Sequence, residues 1–342
     1  MSKQLEVGVV GLGRIGTHHI QTLLGLDNVS VSVTDADPER AGRVAEELRV
    51  RAVATPEELL EAGVDALVIA TSTLSHAPLL QLAAASAVAA FCEKPVALDL
   101  ATLDRVRETV DRAGIVVQVG FQRRFDEGYR AAREAVATGG VGSILVMRAA
   151  THDPVPPPVE YIAASGGIFC DLHIHDFDAI RFVSGEEVTQ VYADGAGLDA
   201  PWVGEVDDVD VAAAILKLSG GGLVILSGTR RDPLGYDVRL EVFGTGDSIV
   251  VGQDARSPLR SVESDARPPR AAYRDFWDRF EPAYRSELAA FVETVRTGAP
   301  SPCPLEDARS ALAIALAADL SRAERRPVSI KEVELAQAPP NS

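Results

Sequence analysis

Over the first third of the chain, short apolar runs alternate with amphipathic stretches. The runs Val7–Val10, Val29–Val33, Ala66–Ala70, Val88–Phe91 and Val116–Val119 are brief, uncharged and mostly valine-rich, the pattern of strands buried on both faces. Between them, Thr17–Leu26, Pro38–Leu48, Ser75–Ala85 and Asp99–Ala113 read as helices. Pro38 suits a first helical turn behind Asp37, and Ser75 and Asp99 suit N-caps. Strands alternating with helices imply crossover connections and a parallel sheet covered on both faces. The expectation is a doubly wound α/β domain over residues 1–122.

The texture then changes. A helix is predicted over Arg124–Thr138, ending at Gly139-Gly140, and the prolines between 154 and 158 predict a loop because they cannot join a ladder. Asp171–Val183 predicts another helix, stopping near Gly185. From 187 to 251 the segments become β-rich; Asp210–Leu218 and Leu223–Thr229, split by three glycines, predict a hairpin. Residues 254–270 are polar and arginine-rich and predict a surface loop, with helices over 283–297 and 305–324. The second domain, 123–332, is therefore expected to be α+β with a large, mainly antiparallel open sheet, followed by a tail over 333–342. An open sheet carrying Val211, Ile215, Val224 and Ile225 has an apolar face to hide, which suggests a homo-oligomer.

Composition narrows the function. A chain of 342 residues can bury a large core without disulfide or metal staples, and 46% apolar with 24% charged residues is a globular balance. The net charge of −17 argues against nucleic acid and anionic membranes as partners. No run of about 18 uncharged apolar residues suggests a membrane span. The three cysteines form no CxxC pattern and no secretory leader is recognisable, so a reducing, cytoplasmic setting is expected. Lysine is rare, only Lys3, Lys94, Lys217 and Lys331, so each position merits inspection.

Gly11-Leu12-Gly13-Arg14-Ile15-Gly16 fits G-x-G-x-x-G directly after the first strand and at the opening of the first helix. Gly11 permits the turn, Gly13 lets backbone approach a pyrophosphate, and Gly16 lets helix and strand pack closely. The helix start, with Arg14 and Ile15, offers amides and a positive dipole to phosphates. Asp35 ends the second strand, where a carboxylate binds ribose hydroxyls and repels a 2′-phosphate. The sequence Asp35-Ala36-Asp37 places no base immediately after it, which favours NAD over NADP; Asp37 is better explained as a helix cap. Glu93-Lys94-Pro95 follows the fifth strand at the carboxyl edge of the sheet, and Thr71, Ser72 and His76 follow the preceding strand. These are candidate cofactor-site residues, with Lys94 also a candidate for catalysis.

The segment from Gly166 to Asp178 is the richest in chemistry. In one continuous helix, Asp171, His175 and Asp178 fall at i, i+4 and i+7 on a common face, and His173 points away. A carboxylate one turn from an imidazole is a plausible base with its orienting partner. Metal binding is disfavoured, because His173 and His175 at i, i+2 cannot share a helical face.

In these residues the chain resembles the Gfo/Idh/MocA oxidoreductases, and among them the inositol 2-dehydrogenases, over residues 5–330. The resemblance rests on the glycine fingerprint, Glu93-Lys94-Pro95, the stretch from Gly120 to Asp126, and the D-x-x-x-H-D-F-D core at 171–178. It implies Lys94, Asp171 and His175 as catalytic residues, and Arg123, His152, Asp178 and Tyr236 as polyol contacts. It implies NAD as cofactor and a ring polyol or sugar as substrate, oxidised at a secondary hydroxyl. A cis peptide bond before Pro95 and sheet-to-sheet packing into dimers or tetramers are further implications. Three positions depart from the inositol-dehydrogenase pattern: Gln122 for methionine, His173 for threonine and Leu234 for an aromatic residue. A sugar or glycoside dehydrogenase, a catalytically silent NAD- or sugar-binding regulator, and transient oxidation with tightly held NAD stay open as alternatives.

Overall fold

The computed structural model describes residues 4–263 and 271–337, so the end of the 254–270 loop and the last five residues of the expected tail lie outside it. The chain divides into two compact units, 1–122 with 282–309, and 123–281 with 310–342. The second unit is thus not the continuous 123–332 stretch expected from sequence.

The first unit is built from β1 (Leu5–Val10), α1 (Arg14–Leu24), β2 (Val29–Thr34), α2 (Pro38–Leu48), β3 (Arg51–Ala52), α3 (Pro56–Glu61), β4 (Ala66–Ile69), α4 (Thr73–Ala85), β5 (Ala89–Glu93), α5 (Leu100–Ala113) and β6 (Val117–Gly120). Its parallel sheet has the order β3-β2-β1-β4-β5-β6, which reverses direction between β1 and β4 and opens a crevice at their carboxyl ends. Helices start where side chains can hold the first amides. Asp37 accepts from the Glu39 and Arg40 amides, and Asp99 from that of Thr102. Ser75 is not a cap: α4 begins at Thr73, behind Ser72. The core joins Val7, Val9, Val33, Val68 and Phe91 to Leu288, Phe291 and Val292, which is why a C-terminal helix groups with this unit.

The second unit contains α6 (Glu127–Ala137), β7 (Ile144–His152), α7 (Val159–Ser165), α8 (Gly167–Asp171), α9 (Ile174–Ser184), β8 (Val188–Ala196), β9 (Val211–Leu218), β10 (Leu223–Thr229), β11 (Asp237–Gly244) and β12 (Ser248–Val251). Helices α10 (Phe276–Thr297) and α11 (Leu305–Glu324) follow, then β13 (Val328–Ser329) and α12 (Ile330–Ala336). The sheet order is β12-β11-β7-β10-β9-β8-β13, antiparallel except for the β7–β10 pair. The β9–β10 hairpin turns at Gly220–Gly222, with Gly221 at φ +95°.

Three expectations are corrected here. Residues 333–336 are not tail but the end of α12, capped by Ser329. The 171–183 helix is two helices, α8 and α9, jointed at Leu172 and His173. The chain keeps right-handed dihedrals through the joint, but the His173 amide reaches back to Ile168, five residues away, so the turn is widened. Finally, Val224 belongs to the buried face of the sheet, while Ile215 and Ile225 face outward, paired across β9 and β10. Among the described residues, no helix is long and apolar enough to cross a membrane.

The joint is locked by His173. Its fully buried ring lies against Gly228 of β10, where an added Cβ would come within 2.2 Å of the ring. The Thr151 carbonyl oxygen, on the paired strand, would be 2.8 Å away, so the added carbon meets backbone as well as the ring. Gly228→Ala should therefore destabilise the protein by about 1–3 kcal/mol. A urea unfolding curve with a lower midpoint and unchanged slope checks this; an unchanged midpoint shows that the ring has room.

Candidate active site

In the first unit, α1 starts at Arg14 directly behind the fingerprint. Gly11 has φ +92°, and a Cβ on Gly16 would lie 1.9 Å from the Gly11 carbonyl oxygen, so a side chain is excluded at both positions. Nothing lies within 4 Å of a Cβ on exposed Gly13, which leaves the approach to the helix start open. The first turn of α1 carries no acid and no side-chain cap. Its amides are the kind of cradle that takes a pyrophosphate, and the geometry fits a dinucleotide.

Asp35 is held in place. Its carboxylate accepts from the Leu12 amide (2.6 Å) and the Asp37 amide (2.8 Å), tying the end of β2 to the fingerprint turn. A base does reach it: Arg40, half-exposed on α2, lies 3.2 Å from Asp35. The absence of an adjacent basic residue in sequence hid this pair, which one turn of helix brings together.

Lys94 is half-buried at the exit of β5, and the Lys94–Pro95 bond is cis. Two histidines brace this exit. Buried His19 of α1 donates to Glu93 at 2.7 Å. His76 lies between the Pro95 carbonyl (2.8 Å from Nδ1) and the Thr71 carbonyl (3.1 Å from Nε2). Burial pushes its pKa down, so a neutral ring donates to one of these two carbonyls. His76 thus packs between the loops after β4 and β5, with its single N–H on one of these carbonyls. Thr71 donates its hydroxyl to the Ser72 carbonyl, and Ser72 stands at the head of α4 with no side-chain cap bond.

In the second unit, Asp171 closes α8 and half-buried His175 lies in the first turn of α9. Asp171 accepts from the Tyr161 hydroxyl (2.8 Å) and from fully buried Arg230 (3.0 Å). Half-buried His152, at the end of β7, contacts the Thr229 hydroxyl at 2.9 Å. Since Thr229 gives its own hydrogen to the Arg231 carbonyl, His152 must donate from Nδ1, leaving Nε2 as an acceptor. Burial lowers its pKa against the nearby charge of Asp237, which favours that neutral form. Tyr236 is buried, its ring edge against Phe280.

Two expected substrate contacts are engaged by neighbouring side chains instead. Arg123 is 2% exposed and bonds Asp176 and Thr151. Burial raises the Asp176 pKa, but the Arg123 charge and the His173 hydrogen bond outweigh it and hold the carboxyl down at about 2. Asp178 is fully buried and takes a two-point grip from Arg124, at 2.8 and 2.6 Å. Asp178 therefore does not join Asp171 and His175 in a ligand-facing row: it is fully buried and bound to Arg124. Arg230, Tyr161, Asp208, His19 and Arg124 were not singled out from sequence, because each acts through a partner distant in the chain.

Residues 5–121 match the oxidoreductase family with an NAD-binding Rossmann fold, and residues 129–250 match the Gfo/Idh/MocA C-terminal domain. The chain belongs to the Gfo/Idh/MocA oxidoreductases. It is 38% identical to myo-inositol 2-dehydrogenase of Thermotoga maritima over 96% of this chain and 99% of that one. It is 35% identical to the NAD-dependent scyllo-inositol 2-dehydrogenase of Bacillus subtilis, covering 96% of this chain and 97% of that one. The crystal structure of scyllo-inositol dehydrogenase from Lactobacillus casei, with bound NAD(H) and scyllo-inositol, superposes with TM-score 0.88 at 27% identity. That match covers 96% of this chain and 100% of the other.

As a Gfo/Idh/MocA oxidoreductase, the protein uses NAD, and the fingerprint geometry fits that cofactor. Of the departures noted in sequence, Gln122 is 2% exposed and donates to the Tyr284 hydroxyl at 3.0 Å, and His173 is the sheet-facing ring described above. Leu234 is 39% exposed.

The Asp35–Arg40 pair sharpens the cofactor test. Asp35→Ser removes the repelling carboxylate and frees Arg40 to meet a 2′-phosphate. It should raise the NADP-to-NAD ratio of kcat/KM by about tenfold or more, with a further rise on adding Ala36→Arg. Arg40→Ala alone should leave NAD preferred. A parent protein that uses both cofactors equally, or an unchanged ratio in Asp35→Ser, shows that Asp35 does not select.

Proposed function

We propose that the protein is a cyclitol dehydrogenase, oxidising a secondary hydroxyl of myo-inositol or a related ring polyol to the ketone. The observation that carries this reading is the set of hydrogen-bonding groups on the second unit: Asp171 gripped by two donors, His152 with an accepting Nε2, and half-buried His175. A polyol is recognised by separated donors and acceptors of this kind. The inositol dehydrogenases among the relatives support the same substrate class.

In this reading His175 accepts the hydroxyl proton as general base. Lys94 donates to the same oxygen and stabilises the developing alkoxide. Asp171 orients the imidazole and takes a neighbouring hydroxyl. The fingerprint amides and Asp35 hold NAD, which supplies the hydride acceptor. The three cysteines, without a CxxC pattern, suit a cytoplasmic setting.

We assign the outward face of the second sheet to self-association. Tyr192, Ile215 and Ile225 form one cross-strand row there, 41%, 52% and 48% exposed. Replacing Ile215 and Ile225 together by Asp should yield a smaller species in sedimentation velocity. An unchanged sedimentation coefficient removes that assignment and leaves the catalytic one intact.

The catalytic reading is tested with a panel of inositols, aldoses and glycosides, following NADH release. Oxidation of aldoses but not inositols favours a sugar dehydrogenase; NAD binding without turnover favours a regulator. On a substrate the parent oxidises, His175→Ala should lose the acidic limb of log kcat/KM. Lys94→Ala should lower kcat by about a hundred- to a thousand-fold, the effect of one oxyanion donor. NAD affinity, measured by fluorescence quenching, should change little in His175→Ala. A folded His175→Ala enzyme within a few-fold of the parent would place the base elsewhere.

A further inference from the structure

Arg230 has no exposed surface, yet it carries a full charge. One nitrogen donates to Asp171 at 3.0 Å and another to Asp208 at 3.2 Å, while Nε has no hydrogen-bond partner among the described residues. Burial lowers the Arg230 pKa, but the two carboxylates outweigh it and leave the guanidinium charged. Asp208 is anchored in turn: its other oxygen caps α8 by accepting from the Ile168 amide at 2.9 Å. That contact uses the left-handed Gly166-Gly167 pair, and a Cβ on Gly167 would stand 3.2 Å from the same oxygen. The Arg230 backbone amide is fixed on the Asp210 carbonyl at 2.8 Å. Arg230 is thus a rigid fork between the end of α8 and the loop that caps its start.

We infer that Arg230, braced by Asp208, is a positioning residue that keeps Asp171 charged and limits how strongly that charge raises the basicity of His175. The inference rests on the catalytic roles proposed above for Asp171 and His175. An unopposed carboxylate four residues ahead of His175 in the chain would favour imidazolium and disable the base near neutral pH; a guanidinium on the carboxylate offsets that pull. Also facing this cluster are Tyr161 of α7, whose hydroxyl donates to Asp171, and Asp153 after β7. Beyond Asp208 stand Asp207, Asp319 and Arg322; burial pushes Asp319 up to about 7, against the Arg322 charge.

The fork predicts shifts of opposite sign. Arg230→Gln should move the acidic limb of log kcat/KM upward by about one pH unit or more, because Asp171 loses its counter-charge. Asp208→Asn keeps an acceptor for Ile168 and leaves the guanidinium to Asp171 alone, so its limb should stay in place or move down. Arg230→Lys should lie near the parent in pH dependence. If Arg230→Gln does not fold, the double variant Arg230→Gln/Asp208→Asn removes the stranded second carboxylate and should still show the upward limb. A second readout needs no turnover: in the unligated protein labelled with ¹³C at aspartate Cγ, the resonance absent from Asp171→Asn should titrate at higher pH in the Arg230 variant. Limbs and carboxyl titration identical to the parent would overturn the inference. A shifted Asp171 titration in a protein that oxidises no cyclitol would overturn the proposed function while leaving the fork intact.

Discussion

The chemistry of the second unit depends on one packing constraint, the His173 ring lying on the bare backbone of Gly228. The ring must point into the sheet, so the chain cannot continue as a regular helix through 172 and 173, and the turn opens to the Ile168 carbonyl. His173 then donates to Asp176, and Asp176 meets Arg123 and Thr151 of β7. Taking these charges out of water offsets most of their attraction, so the cluster adds little net stability. Its effect is on geometry. Removing one member would strand a buried charge, at a cost of about 3–5 kcal/mol, so alternative placements of α9 on the sheet are disfavoured. Asp171 ends one helix and His175 begins the next because this cluster sets where the joint falls.

The first unit solves the matching problem for Lys94. A lysine side chain is long and flexible, and only a fixed backbone makes its ammonium a defined donor. The parallel sheet places the exit of β5 at its carboxyl edge, and two buried rings then pin the loop on either side of Lys94. His19 ties Glu93 to the fingerprint helix, and His76 fills the space between Pro95 and the loop after β4. Bracing by neutral or paired imidazoles at a ligand-facing edge avoids an unpaired charge in the core behind it.

What was legible in the sequence was local. The five valine-rich strands and α2 and α5 appear within a few residues of their predicted limits, because an apolar run between capping residues is enough to define them. The short β3 and α3 carry too few residues to show a period. The joint at Leu172 was hidden because helical spacing barely changes across a widened turn. Neither could local pattern say that Pro282–Arg309 packs with the first unit, since an amphipathic helix does not specify which core it covers. The fingerprint glycines were readable for the opposite reason: backbone crowding at Gly11 and Gly16 acts within a few residues.

Polar residues were harder, and the acids of the 171–178 segment show why. Three carboxylates, of which Asp171 and Asp178 were expected from sequence to meet a ligand, each found a different arginine: Asp171 with Arg230, Asp176 with Arg123, Asp178 with Arg124. Charge pairing alone therefore does not tell a functional acid from a structural one. Exposure and the number of competing donors do. Asp176 and Asp178 retain 1% of their side-chain surface, and Asp178 takes a two-point arginine grip. Asp171 keeps 11%, and one of its donors is the hydroxyl of Tyr161, a half-exposed neutral group. Of the three acids, Asp171 alone combines a buried charged donor with a neutral donor carried by a half-exposed ring, and that difference in surroundings sets it apart.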